Sequence, residues 1–242
     1  MGKILHFDPF SGIAGDMALA ALVDAGADPL LIEQQLQSLP LETFHLQWTR
    51  TVKKGISARA VRIITEPEQK GHSHRRYREI VDMLKSADLP EQAVLWSLQI
   101  FERIGQAEAR IHGIALDEVH FHEVGAIDSI VDIVGTALAL DQLNPDRISS
   151  SPPPLGNGEA VMAHGIYPLP APATLELMKG YPIRSTSLPF ELTTPTGAGI
   201  LTALTEQWGP VPDMTVERTG YGAGMLDLPD RPNVLRVILG NR

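Results

Sequence analysis

The stretch from Ala126 to Leu143 is apolar nearly all round. A helix of that composition has to be a core element with other structure on every side. Asp128 and Asp132 interrupt it one helical turn apart, on a face that continues through Gly135 and Ala139, so two carboxylates stand beside small residues. A second helical pattern precedes it, from Glu91 to Gly113. At roughly 100° per residue, Val94, Leu98, Phe101, Ile104 and Ile111 form its apolar stripe; Gln99, Glu102, Arg103, Gln106 and Arg110 form its polar face. Glu108 and His112 fall on the apolar side, where a carboxylate and an imidazole are costly unless paired or metal-bound.

Between the two patterns lies His120-Phe121-His122-Glu123. An extended backbone there sends both imidazoles one way and Phe121 the other. Each ionisable group has an ordinary structural explanation. Glu108 and His112 can bond each other, the two histidines can face water, and Asp128 can cap a helix starting at Ser129. Six such groups within about 25 residues point instead to a metal or acid/base site. The expected metal ligands are Glu108, His112, His120, His122, Asp128 and Asp132. The expected catalytic carboxylates are Asp128, Glu123 and Asp8, the last at the end of a predicted strand, Lys3 to Phe7.

Cysteine is absent, so disulfides, thiolate ligands and a cysteine nucleophile are excluded. Any metal is held by imidazole and oxygen, which suits nickel, manganese, magnesium or zinc. The net charge of −9 disfavours a nucleic-acid backbone or an anionic membrane surface and favours metal cations. No apolar run reaches the ~18 residues of a membrane span, and the N-terminal apolar stretch is too short for a signal peptide. A soluble cytoplasmic protein is expected.

Along the chain, Phe10 to Asp16 is a glycine-bearing loop leading into an Ala-rich helix that Gly26 stops. Ser11, Gly12, Gly15 and Asp16 are candidate anion-site residues, although the spacing matches neither the Rossmann nor the Walker pattern, and Asp16 can simply cap its helix. A helix is predicted over Leu30–Gln37, then a hairpin of Phe44–Val52 and Ile56–Ile64 turning at Lys53-Lys54-Gly55. A polar stretch with His72 and His74 precedes a helix over Tyr77–Ser86. Later come short strands at Arg147–Ser151 and Glu159–Met162, and His164 in a proline-rich segment is a further candidate for cofactor binding. A helix opens at Pro172; a strand is predicted at Leu188–Leu192. Thr194 and Pro195 then open a helix, and Thr194, Thr196 and Gly197 can hold a phosphate or merely cap it. Strands at Thr215–Thr219 and Asn233–Leu239 flank Gly220–Gly224, a loop suited to close backbone approach. The mixture of βα units and hairpins predicts an α+β fold, mixed sheets packed by helices with a buried helical segment at 91–143, with a doubly wound α/β sheet as the alternative. One large domain or two closely packed ones, about 1–145 and 146–242, are expected at this length.

The stretches FDPFSGIAGDM, AEARIHG, HFHEVGAIDSIVDIVG, HGIYPLPAPA, ELTTPTGAG, GYGAG and RPNVLRV together resemble the nickel insertion family that completes the nickel-pincer nucleotide of lactate racemase. The resemblance spans nearly the whole chain, and HFHEVGAIDSIVDIVG is its most specific part. It implies insertion of nickel into pyridinium-3,5-bisthiocarboxylic acid mononucleotide by a cyclometallase that hydrolyses CTP with manganese or magnesium. Lactate racemase is the implied recipient, and a homo-oligomer is expected. The family usually has a histidine-rich stretch where only His72 and His74 stand here. It also continues past this sequence into a C-terminal part associated with the nucleotide and manganese, so this chain is expected to be the N-terminal portion of a longer or two-piece protein. Two other readings of the residues are a nickel-holding metallochaperone without turnover and a metal-dependent phosphohydrolase using Asp8, Asp16 and Asp128.

Overall fold

The apolar run Lys3–Asp8 forms strand β1, which pairs antiparallel with β9 (Val234–Asn241) and parallel with β4 (Arg147–Ser150). The computed structural model describes residues 2–65, 75–121, 126–162 and 165–242. Between β1 and β4 come helices α1 (Gly15–Asp24) and α2 (Pro29–Leu36) and the hairpin β2 (Phe44–Lys53) and β3 (Ile56–Thr65). Helices α3 (Tyr77–Ser86), α4 (Glu91–His112) and α5 (Ile127–Leu143) follow. After β4 come the hairpin β5 (Gly158–Met162) and β6 (Gly165–Leu169), helices α6 (Pro172–Leu177) and α7 (Pro195–Leu204), and strands β7 (Gln207–Trp208) and β8 (Thr215–Ala223). The main sheet is mixed and seven-stranded, in the order β2-β3-β8-β9-β1-β4-β7, and β5-β6 forms a separate two-stranded sheet. The fold is α+β, as the pattern predicts. No helix among the described residues is long and apolar enough to cross a membrane.

The β2–β3 turn puts Lys54 and Gly55 at φ 44° and 85°, the positive values that a tight hairpin needs. Helix α5 is buried along most of its length, as its all-round apolar sequence requires, and Asn144 ends it in the left-handed conformation. Helix α1 lies between the sheet and α5. Its alanines allow this, since small side chains let backbones approach. The approach is completed from the sheet side. A Cβ added to Gly220 would lie 2.1 Å from the Ala21 carbonyl oxygen, and one on Gly222 2.0 Å from that of Met17.

Three local expectations are corrected, and the proline-rich segment gains an assignment. Gly220, Gly222 and Ala223 belong to β8 rather than to a loop; their close backbone approach is to α1. Leu188–Leu192 is not a strand. Pro189 lacks an N–H for a ladder, and Leu188 and Leu192 bury instead in a small cluster with Leu228. The proline-rich segment yields β6, where Pro168 is tolerated because a two-stranded sheet consists only of edges. The buried face of α4 runs through Ala93, Ser97, Ile100, Phe101, Ile104, Gly105 and Ala107, rotated from the predicted stripe, with Ile111 39% exposed. Small residues mark that face because α7 crosses it closely, with Gly199 against Ile104.

His6, which sequence reasoning did not single out, ties β1 to β4. It is fully buried, with Nδ1 2.9 Å from Ser149 Oγ and Nε2 3.0 Å from Ser151 Oγ. One ring nitrogen donates and the other accepts, which is the neutral imidazole. Burial pushes its pKa down to about 4, against a smaller opposing effect of Asp8.

Two predictions follow from this packing. Gly222→Ala forces a methyl into the Met17 carbonyl and is expected to cost about 3 kcal/mol, read from the urea midpoint; an unchanged midpoint would refute the contact. His6 is neutral when folded but protonates in the unfolded chain near its ordinary value. Its contribution is therefore complete above about pH 6.5 and is lost as pH falls toward about 4. Wild type should lose on the order of 3 kcal/mol more than His6→Gln over that interval, and parallel stability–pH curves for the two would contradict it.

Candidate functional site

The loop after β1 is stitched to the segment before α7. The Ile13 N–H donates to the Leu192 carbonyl (2.9 Å), and the Thr194 N–H donates to the Ile13 carbonyl (3.1 Å). This sets the first turns of α1 and α7 beside α5. A Cβ on Gly15 would lie 2.6 Å from Asp132 Cβ and 2.9 Å from Thr196 Cγ2, so glycine there lets the Asp132 side chain reach α1. Asp16 Oδ1 accepts the Met17 N–H at 2.7 Å. Asp132 Oδ1 is buried and has no hydrogen-bond partner among the described residues. Burial pushes the Asp16 carboxyl up to about 6. Burial, and then the charges of Asp16 and Asp128, hold Asp132 well above the usual carboxylate range.

Asp16 also opens onto a crevice of about 420 Å³, within the size range of small-molecule sites. One wall is Glu159, Ala160 and Leu169 of the β5–β6 hairpin; another is Pro189 to Leu192 with Thr194. Met17, Gly224, Met225, Leu226 and Asn233 close it. The described lining carries three carboxylates, on Asp16, Glu159 and Glu191, and no basic side chain. The site therefore favours a cationic ligand with an apolar body.

The residues expected from sequence are distributed differently. Glu108 and His112 pair with each other at 3.3 Å near the end of α4, partly exposed, because the true core face of that helix lies elsewhere. His120 is exposed and Phe121 buried, the alternation expected of an extended segment. His122, Glu123 and His164, like His72 and His74, lie outside the described residues. Asp128 is exposed in the first turn of α5; the N-cap is Ala126, so Asp128 is not the cap. Among the described residues no three His, Asp or Glu side chains group closely enough to hold a metal ion. Asp132 meets Asp16 of α1 instead of the Glu108–His112 pair.

Asp8 accepts from the Arg236 Nε at 3.0 Å and Nη2 at 2.5 Å, so its charge is matched inside the sheet. Ser11 Oγ donates to the Pro232 carbonyl at 2.6 Å. Gly12 takes φ 97° and backs onto the Leu192 carbonyl, while Gly197 backs onto that of Ile13. Thr194 caps α7, accepting the Gly197 N–H at 3.2 Å, and Thr196 is buried. These glycines and hydroxyls are thus engaged in internal contacts, and Thr194 is the one of the α7 group that also lines the crevice. Glu159, Glu191 and Asn233 were missed as candidates, although Glu191 and Asn233 sit within ELTTPTGAG and RPNVLRV. Thr194→Ala should remove the cap and lower stability by about 1 kcal/mol; a chemical-denaturation midpoint equal to wild type would show that the cap contributes nothing.

The sequence profile described as the Nickel insertion protein family matches residues 5–242. A Geobacillus kaustophilus protein named pyridinium-3,5-bisthiocarboxylic acid mononucleotide nickel insertion protein is 53% identical over 245 residues, covering 98% of this chain and 60% of that protein. Proteins of the same name from Staphylococcus epidermidis and Staphylococcus saprophyticus are 50% and 47% identical, covering 98% and 97% of this chain and 59% of each relative. The chain thus spans about 60% of the length of the curated relatives it matches. No solved structure matches it. With the family profile matched from Leu5 to Arg242 and relatives near half identity, the chain belongs to the nickel insertion protein family.

Proposed function

We propose that this chain takes part in inserting nickel into pyridinium-3,5-bisthiocarboxylic acid mononucleotide, the compound in its relatives' names. The observation that carries this is the acid-lined crevice at Asp16, in a chain that belongs to the family. A pyridinium ring is cationic and nickel is a dication, so a lining of Asp16, Glu159 and Glu191, with no basic side chain among the described residues, favours both. Met17, Leu169, Phe190 and Met225 offer the apolar surface that a flat ring needs. The phosphate is repelled by the same carboxylates and points out of the crevice.

The family's CTP and its manganese or magnesium belong, in this reading, to the part of the relatives that this chain does not cover. The loops at Ser11–Gly15 and Thr194–Gly197 spend donors and close approaches on each other and on the core, which leaves them poorly suited to a triphosphate. The same observation favours a second reading, a nickel carrier that releases its metal stoichiometrically without turnover. Incubating the chain with nickel and the thiolated nucleotide, with and without the remaining part of a relative and CTP with manganese, separates the two. Nickel-loaded nucleotide, identified by mass, is expected when the remaining part is present. Its absence from every combination would overturn insertion, and release of one nickel per chain without CTP hydrolysis would favour the carrier.

A further inference from the structure

Asp132 poses a problem that the fold alone does not solve. Its Oδ1 is inaccessible to solvent and meets no donor among the described residues. A buried acceptor in that state costs stability, and here the neighbouring group is another carboxylate. The Met17 N–H is donated to Asp16 Oδ1, so the first turn of α1 satisfies one oxygen of Asp16, while for Asp132 the Asp16 backbone N–H opposes the effects of burial and of the two neighbouring charges only weakly. Among the described residues no cationic side chain acts on Asp132; the charges felt there are those of Asp16 and Asp128, both of one sign. Gly15 keeps the two carboxylates together, since any Cβ would collide with Asp132. What is missing from this arrangement is a positive charge of small radius.

We infer that Asp16 and Asp132 together hold the nickel dication by their free carboxylate oxygens and present it to the substrate in the crevice. The inference rests on the nickel-insertion reading and assigns the position from which the metal leaves. Asp132 is the buried anchor, while Asp16 lines the crevice, so an ion on the pair has its open side toward the ligand. Two carboxylates with water completing the shell are a weak, oxygen-only site for nickel, and sulfur donors are better partners for a metal of its softness. Transfer is then ligand exchange. Two nickel–oxygen contacts break, two nickel–sulfur bonds to the substrate's thiocarboxylates form, and the metal stays divalent.

The test uses the whole chain with nickel chloride alone, by calorimetric titration and by thermal melting with and without the metal. Wild type should bind nickel saturably and melt at a higher temperature in its presence. Asp16→Asn and Asp132→Asn should each bind at least about tenfold more weakly. Asp132→Asn should also melt higher than wild type without metal, since the amide removes the charge of a buried carboxylate that lies near those of Asp16 and Asp128. His112→Ala, in the separate α4 pair, should bind as wild type does. Two Asn variants that fold, as judged by circular dichroism, and bind nickel like wild type would overturn the inference. So would a wild type whose melting does not respond to nickel, which would leave a carboxyl pair sharing a proton. Folded variants that bind no nickel yet support formation of nickel-loaded nucleotide would remove the metal from this pair and leave the insertion reading intact. Nickel bound at the pair with no loaded nucleotide in any combination would remove the insertion reading instead.

Discussion

The contact on which this structure depends is the one between α1 and the glycine-bearing strand β8. Met17 and Ala21 place their backbone carbonyls where side chains of β8 would stand if Gly222 and Gly220 had them. Helix and sheet therefore meet at backbone distance, and the opposite side of α1 is left to pack on α5, where Leu19 lies over Gly135. On its sheet side this core brings small residues close rather than interlocking large ones. Such a core has little slack, because a void or a surplus methyl at backbone contact cannot be absorbed by a rotamer change.

That geometry fixes the candidate site. The first turn of α1 cannot move away from the sheet, so Asp16 is held where Asp132 of α5 must approach it across Gly15. The unfavourable meeting of two carboxylates is sustained by apolar packing on both sides of α1. Local arrangements that cost free energy commonly persist where the surroundings over-determine them, and they cluster at functional positions.

Much of the architecture was legible from periodicity and punctuation. Helix α5 was visible in its all-round apolar character, the β2–β3 hairpin in its Lys-Gly turn, and α7 in Thr194-Pro195. The orientation of α4 was not, because its buried face uses Ala, Ser and Gly, which carry almost no hydrophobic signal. The same limit hid the role of Gly220 and Gly222, since a glycine that admits a helix looks like one that admits a ligand. For the site, Asp132 and Asp16 were both recognisable as unusual, one inside a core pattern and one at a helix start. Their pairing was not, because it joins residues more than a hundred positions apart and depends on where α1 lands. His6 carried no motif at all; its meaning comes from Ser149 on the neighbouring strand and Ser151 just beyond it.

The place of β1 between β4 and β9 also has a bearing on how the chain reaches this state. Its two neighbours in the sheet begin at Arg147 and Val234, so neither pairing can form locally. Closing loops of that length comes before any reward from the contacts, which slows folding in proteins dominated by distant pairings. Until β9 docks, β1 and β8 both lack a partner along one edge, and α1 has no completed floor to lie on. The hairpin β2–β3 and the α3–α4 region can organise early from near neighbours. The acidic crevice, built from the start of α1, the β5–β6 hairpin and Asn233, requires parts of the chain from near both ends and so depends on these distant pairings.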